Sequence, residues 1–332
     1  MKAAVIGSGA WGTALALRLL QNGHETYLWS HNPDKAAAMA SSRINPMLSG
    51  IHLPQQLHIT SALSDIAGCA LVVIACPSFP IRSVSRSAAP YLDKNAVVVT
   101  VTKGIDPDTQ QRMSEVVRQE TGHTVVALTG PTHAEEVARN MPSGCLAACP
   151  DKELAEFVQD AFMSDCFRVY TSPDIVGAEL GGALKNVIAL CAGISDGLGF
   201  GDNCKAMLMT RGLTEIARLG VALGAQKETF AGLAGIGDLI VTCTSMHSRN
   251  RRAGILIGQG KSVQEAMEQV GAVVEGYYAT RSVWLLAKKR GIEMPILNAA
   301  YHVLYEGADA KESVQTLLLR RRKAESEDVD WL

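Results

Sequence analysis

Gly7-Ser8-Gly9-Ala10-Trp11-Gly12 has the form G-x-G-x-x-G, and the residues on either side decide how it is read. Lys2 to Ile6 before it is a short β-rich run, Thr13 to Gln21 after it has helical apolar spacing, and Glu25 to Trp29 reads as a second strand. Strand, glycine turn, helix and strand make a βαβ unit, the setting in which this pattern binds a dinucleotide. Gly7 permits the tight turn, Gly9 lets a pyrophosphate approach the backbone, and Gly12 lets helix and strand pack closely. The pyrophosphate charge then sits at a helix N-terminus, where free N–H groups and the helix dipole favour an anion. Gly197-Leu198-Gly199-Phe200-Gly201 also spaces its glycines, but it joins two helical stretches and reads as an interhelical loop.

NAD sites usually carry an acid at the end of the second strand, to bond the ribose 2′-hydroxyl. Here that strand ends Leu28-Trp29-Ser30-His31-Asn32, and the nearest acid, Asp34, lies beyond Pro33. Without a carboxylate to repel it, a 2′-phosphate is tolerated, with His31 and then Lys35 or Arg43 nearby. NADP is favoured, and NAD stays open.

Outward from the fingerprint, further strands are predicted at Leu71 to Ala75, Ala96 to Thr102, Val125 to Leu128, Cys145 to Ala148 and Phe167 to Tyr170. Unbroken apolar runs such as Val97-Val98-Val99 suit strands covered on both faces, and strand-helix alternation predicts a mainly parallel sheet. After about Pro173 the periodicity becomes helical, with helices predicted over Asp174 to Ile194, Lys205 to Leu223, Val263 to Val270, Tyr278 to Lys289, Ile296 to Tyr305 and Ala310 to Lys323. The expected fold is α/β: an N-terminal Rossmann-type doubly wound sheet over residues 1–173, followed by an all-α domain over residues 174–332.

A chain of 332 residues suits two domains, and 47% hydrophobic with 19% charged residues excludes wholesale disorder. The 31 basic and 33 acidic side chains nearly cancel, so no global charge points to nucleic acid or an anionic membrane. Any anion site must be local. The run Arg320-Arg321-Arg322-Lys323 is offset by Glu325, Glu327, Asp328 and Asp330 and reads as a solvated helix end. Eight scattered cysteines without a C-x-x-C pair behave as reduced, mostly buried side chains, which implies a cytoplasmic home. The glycines at 7, 9 and 12 interrupt the first apolar run, so it makes a poor signal peptide. The eight histidines show no metal-ligand spacing, and no metal is expected.

In open α/β sheets ligands collect at the carboxyl ends of the strands. Lys103-Gly104 closes one predicted strand there, where a lysine serves either as a ligand or as a solvated edge charge. Gly130-Pro131-Thr132-His133-Ala134-Glu135 follows the next, and Thr132 with Glu135 has T-x-x-E capping-box spacing. In the helical half, Lys185 stands in an otherwise apolar helix. It is either a proton donor whose pKa burial tunes, or part of an exposed stripe with Glu179 and Asn186. Asp238 is a lone carboxylate between apolar flanks, and Ser248-Arg249-Asn250-Arg251-Arg252 is the best local anion site, although it also reads as a basic helix start.

These stretches together resemble bacterial NAD(P)-dependent glycerol-3-phosphate dehydrogenases over nearly the whole chain. The resemblance rests on the fingerprint, Thr102-Lys103-Gly104, Gly130-Pro131-Thr132, Leu180-Gly181-Gly182-Ala183-Leu184-Lys185-Asn186, Gly237-Asp238-Leu239 with Thr242-Cys243-Thr244, Ser248 to Arg252, and Val274-Glu275-Gly276. It implies reversible hydride transfer between NAD(P)H and C2 of dihydroxyacetone phosphate, giving sn-glycerol 3-phosphate for phospholipid synthesis. It further implies Lys185 as the proton donor or acceptor, with Lys103 and Asp238 lining the same centre. Ser248, Arg249, Asn250, Gly130 and Thr132 are implied to bind substrate. Gly7, Gly9, Ala10, Trp11, Gly12, His31, Lys103, Ala134, Arg249, Val273 and Glu275 are implied to contact the cofactor. Ala10 departs from the serine common at its position, which implies one hydroxyl contact fewer. A homodimer is implied as well. Two alternatives stay open: a ketopantoate reductase-like enzyme, which would not need the arginine cluster, and a non-catalytic NADP sensor, which would not need Lys103, Lys185 and Asp238.

Overall fold

The computed structural model describes residues 1–322, 324 and 325. Strands β1 (Lys2–Ile6), β2 (Glu25–Trp29), β3 (His58–Thr60), β4 (Leu71–Ile74), β5 (Val97–Thr100), β6 (Val125–Thr129), β7 (Ser143–Ala148) and β8 (Phe167–Ser172) form one sheet in the order β3-β2-β1-β4-β5-β6-β7-β8. The first six strands run parallel in the Rossmann order. β7 pairs antiparallel with β6 and parallel with β8. Helices α1 (Ala10–Gln21), α2 (Pro33–Ser42), α3 (Ile81–Ala88), α4 (Met113–Thr121), α5 (Ala134–Ala138) and α6 (Lys152–Phe162) alternate with these strands. Both faces of the central strands are covered, so β4, β5 and β6 are buried at every residue.

After β8 the described chain is helical: α7 (Ile175–Gly197), α8 (Asp202–Ala222), α9 (Asp238–Thr244), α10 (Arg249–Gly258), α11 (Val263–Val270), α12 (Glu275–Arg290), α13 (Pro295–Tyr305) and α14 (Ala310–Leu318). The glycines from Gly197 to Gly201 make the turn between α7 and α8, with Gly199 in the left-handed region at φ 77°. α7 is long and apolar enough to cross a membrane by length and composition, yet 89% of its most apolar window is buried inside the protein, so it is the core helix of this half. α10 crosses it at backbone contact. A Cβ on Gly254 would lie 2.1 Å from the Leu190 carbonyl oxygen, and one on Gly193 would lie 2.1 Å from that of Arg251. The crossing therefore requires glycine, and it seats the first turn of α10 beside the middle of α7.

Several boundaries differ from the sequence-based expectation. α1 begins at Ala10, not Thr13, because Gly12 sits inside the first turn, where its missing side chain serves packing. The strand expected over Ala96 to Thr102 is confined to Val97–Thr100, and the one over Leu71 to Ala75 stops at Ile74. β3, three residues long, carries too little pattern to be predicted. The last expected helix ends at Leu318, and Lys323 lies outside the described residues, as do Glu327, Asp328 and Asp330 of the acidic run.

Candidate active site

The chain leaves β1 and β4, which are neighbours, towards opposite edges of the sheet, so a crevice opens beyond their carboxyl ends. The fingerprint glycines line it. Gly7 has φ 126°, and a Cβ there would lie 2.6 Å from the Ala75 carbonyl oxygen; a Cβ on Gly12 would lie 2.0 Å from that of Gly7. Gly9 has nothing within 4 Å of its Cβ position and is the N-cap of α1 without a side-chain cap. The first N–H groups of α1 thus face open space that a pyrophosphate fits. Ala10 and Trp11 are half-buried against the core.

At the end of β2, His31 is exposed, while Asn32 accepts a hydrogen bond from the Lys35 N–H at 3.0 Å as the cap of α2. Arg43 donates through one nitrogen to the carbonyls of Leu57 at 2.8 Å and Pro54 at 3.3 Å. That nitrogen fastens the loop before β3.

The chemistry concentrates where the sheet meets α7. Lys103 follows β5, Lys185 lies in the middle of α7, and Asp238 opens α9 directly after a π-helical turn over Leu233–Gly237. Asp238 is 1% exposed and carries both lysines: Oδ2 accepts from Lys103 Nζ at 2.6 Å, and Oδ1 accepts from Lys185 Nζ. Lys103 also donates to the Gly130 carbonyl at 3.1 Å. Lys185 donates to Thr242 Oγ1 at 2.7 Å, and that hydroxyl donates to the Asp238 carbonyl at 2.6 Å. Lys185 is therefore buried and paired, not part of an exposed stripe; Glu179 and Asn186 are buried with it. Burial pushes the Lys185 ammonium down to about 7; the Asp238 carboxylate opposes that shift and Lys103 adds to it.

Glu179, on α7 ahead of Lys185, accepts bonds from Arg112 at 2.5 Å, from the Ser114 N–H at 2.7 Å and from the Ser114 hydroxyl at 2.5 Å. This buried strut ties α7 to α4. Between Glu179 and Lys103 lies a cavity about one water molecule in size, which Thr129 also lines with a buried hydroxyl that has no partner among the described residues.

Beyond β6, the Thr132 hydroxyl donates to the Gly130 carbonyl at 3.2 Å, and the N-cap of α5 is His133. The expected Thr132–Glu135 capping box does not form, because the helix starts one residue later and Thr132 is satisfied locally. Ala134 is the buried first residue of α5.

The arginine cluster is a helix start, and its members divide. Ser248 caps α10, accepting from the Arg251 N–H at 3.2 Å. Arg251 is a strut, donating to Asp196 at 2.7 and 2.9 Å. Asn250 donates to the Asn186 side chain at 3.0 Å and accepts from the Gly276 N–H at 2.8 Å, tying together α7, α10 and α12. Arg252 has a buried Nε without a partner among the described residues. Burial lowers the pKa of Arg249, with the charges of Glu275 and Glu135 opposing. Glu275, after Val273 and Val274, opens α12 and accepts from the Ser78 N–H at 3.1 Å and the Ser78 hydroxyl at 2.6 Å. Burial raises its pKa, with the Ser78 bonds and Arg249 opposing.

The structure thus brings Lys103, Lys185, Asp238 and Gly130 into one bonded cluster and leaves His31 apart, beyond β2. Sequence reasoning gave no role to Thr242 or Ser78. Thr242 had a signal, since it lies four residues after Asp238 and so on the same helix face; Ser78 had none.

Family models for the N-terminal and C-terminal parts of NAD-dependent glycerol-3-phosphate dehydrogenase match residues 2–155 and 174–315. The glycerol-3-phosphate dehydrogenase [NAD(P)+] of Thermoanaerobacter sp. (strain X514) is 51% identical over 326 residues, covering 98% of this chain and 99% of that one. The enzyme of the same description from Moorella thermoacetica is 50% identical, covering 99% and 98%. The crystal structure of glycerol-3-phosphate dehydrogenase from Coxiella burnetii superposes with a TM-score of 0.93 at 38% identity, covering 96% of this chain and 99% of that one. With two-domain matches and relatives of this identity along its whole length, the chain belongs to the NAD-dependent glycerol-3-phosphate dehydrogenase family.

Proposed function

We propose that this protein transfers hydride reversibly between NAD(P)H and C2 of dihydroxyacetone phosphate, giving sn-glycerol 3-phosphate. The observation that carries the reading is Asp238, one buried carboxylate holding two lysines at the carboxyl edge of the sheet. When bound in the glycine-lined crevice, NAD(P)H would supply the hydride. As an alkoxide forms at C2, the Lys185 ammonium stabilises it and gives it a proton, and in the reverse direction neutral Lys185 takes that proton back. Asp238 keeps Lys185 protonated near neutral pH, and Lys103 adds positive charge at the same centre. Arg249, with Ser248, Asn250, Gly130 and Thr132, binds the substrate, and the guanidinium on the remote phosphate holds C2 in place. Gly7, Gly9, Ala10, Trp11, Gly12, His31, Lys103, Ala134, Arg249, Val273 and Glu275 form the cofactor side.

In this reading residues 1–173 supply most of the cofactor contacts, and residues 174–332 supply the catalytic lysine and most of the substrate contacts. NADPH is preferred, supported by the absence of a carboxylate where β2 ends. The product feeds glycerophospholipid synthesis in the cytoplasm, a location that the free state of all eight cysteines supports, and the working form is a homodimer. The test is NADPH oxidation, followed by absorbance, with dihydroxyacetone phosphate, with ketopantoate and with no substrate. Oxidation with dihydroxyacetone phosphate alone is expected; oxidation with ketopantoate alone, or cofactor binding without turnover, would overturn the assignment.

A further inference from the structure

His133 sits between Thr132 on the substrate side and Ala134 on the cofactor side, as the N-cap of α5, yet its side chain caps nothing. Its Nε2 is buried and has no partner among the described residues. The ring lies 5.6 Å from that of His247, the residue before Ser248 and Arg249. Val241, next to the Thr242 that bonds Lys185, lies beside the ring. A neutral imidazole carries one proton, so in the tautomer protonated at Nδ1 the unpartnered Nε2 offers a bare lone pair. Burial, and then the nearby charge of Lys185, push the ring below its ordinary pKa, which keeps it neutral at pH 7.

A buried acceptor beside His247, and close enough to Lys185 to feel its charge, can be satisfied by a donor from a ligand. On the reading above, the C2 oxygen of dihydroxyacetone phosphate belongs to Lys185 and the phosphate to Arg249. The one donor left on the substrate is the C1 hydroxyl. We propose that His133 is a specificity-determining residue that accepts, through Nε2, a hydrogen bond from the free C1 hydroxyl of the substrate. The inference rests on the proposed reaction.

The probe is hydroxyacetone phosphate, which carries a methyl group where dihydroxyacetone phosphate carries the C1 hydroxymethyl. The unmodified enzyme should prefer dihydroxyacetone phosphate by about 10- to 100-fold in kcat/KM, the range for one hydrogen bond to a substrate hydroxyl. His133→Phe should lose that preference, falling with dihydroxyacetone phosphate while holding its rate with the analogue. His133→Gln, which restores an acceptor, should recover part of it and serves also if the phenylalanine variant fails to fold. An equal fall with both substrates would make His133 merely structural. Weaker NADPH binding with the preference intact would assign Nε2 to the nicotinamide amide, and an unchanged preference would remove it from the site; each overturns the proposal. An unmodified enzyme that turns over neither substrate would instead refute the reaction itself, and this inference with it.

Discussion

Replacing Asp238 with Asn keeps the shape and removes the one negative charge between the buried Lys185 ammonium and the half-buried Lys103 ammonium. At a charge separation of about 4 Å and an effective dielectric of about 20, the lost attraction is about 4 kcal/mol per lysine, equivalent to about 3 pKa units. Lys185, already lowered to about 7 by burial, would then ionise near ~4, with Lys103 still repelling it. At pH 7 only about one molecule in a thousand would carry the proton needed for ketone reduction, against about half in the unmodified enzyme. Turnover of saturating dihydroxyacetone phosphate, read as NADPH absorbance loss, should fall at least ~100-fold at pH 7 and recover partly as the pH is lowered. NADPH affinity, read by fluorescence, should change little. Turnover at pH 7 within about fivefold of the unmodified enzyme, with its pH midpoint unmoved, would refute the role given to this carboxylate.

The remaining predictions concern stability. Gly254→Ala places a methyl group 2.1 Å from the Leu190 carbonyl oxygen, a backbone atom that cannot turn aside, so thermal unfolding should show a loss of about 1–3 kcal/mol and the KM for dihydroxyacetone phosphate should rise as α10 moves off α7. An unchanged melting temperature would contradict the close crossing. Glu215 is buried and accepts the N–H groups of Ile296 and Leu297 at 2.8 and 3.3 Å, and burial raises its pKa from 4.5 to about 7 with those bonds opposing. A folded-state pKa above the unfolded one means that its stabilising contribution is complete below 4.5 and is lost as the pH rises through 7, at most about 3 kcal/mol. Denaturant titrations should therefore show stability falling across that window in the native chain and a flatter profile in Glu215→Gln; equal slopes would sink the assignment.

The cofactor half was legible because its signals are local. β1 and β2 were found to the residue, and Gly7 and Gly12 stand where a Cβ would collide with backbone, while Gly9 borders open space. Lys185 was not decidable from pattern, since a helix apolar on all sides gives a lysine the same neighbours whether it is buried or exposed; only the arrival of Asp238, 53 residues later, resolves it. The arginine cluster was legible as a charge cluster but not as a division of labour. Arg251 is taken by Asp196, 55 residues away, and no spacing rule predicts that pairing. Thr132 misled because capping-box spacing does not reveal that the helix begins one residue later.

In the proposed reaction Lys185 moves the proton while other residues hold the cofactor. That division of roles is tested most directly by comparing Lys185→Ala with the unmodified protein for NADPH-dependent reduction of dihydroxyacetone phosphate and, separately, for NADPH affinity. Turnover should fall at least ~100-fold in the variant with cofactor affinity nearly intact. Retained turnover in the variant, or turnover and affinity lost together, would contradict it.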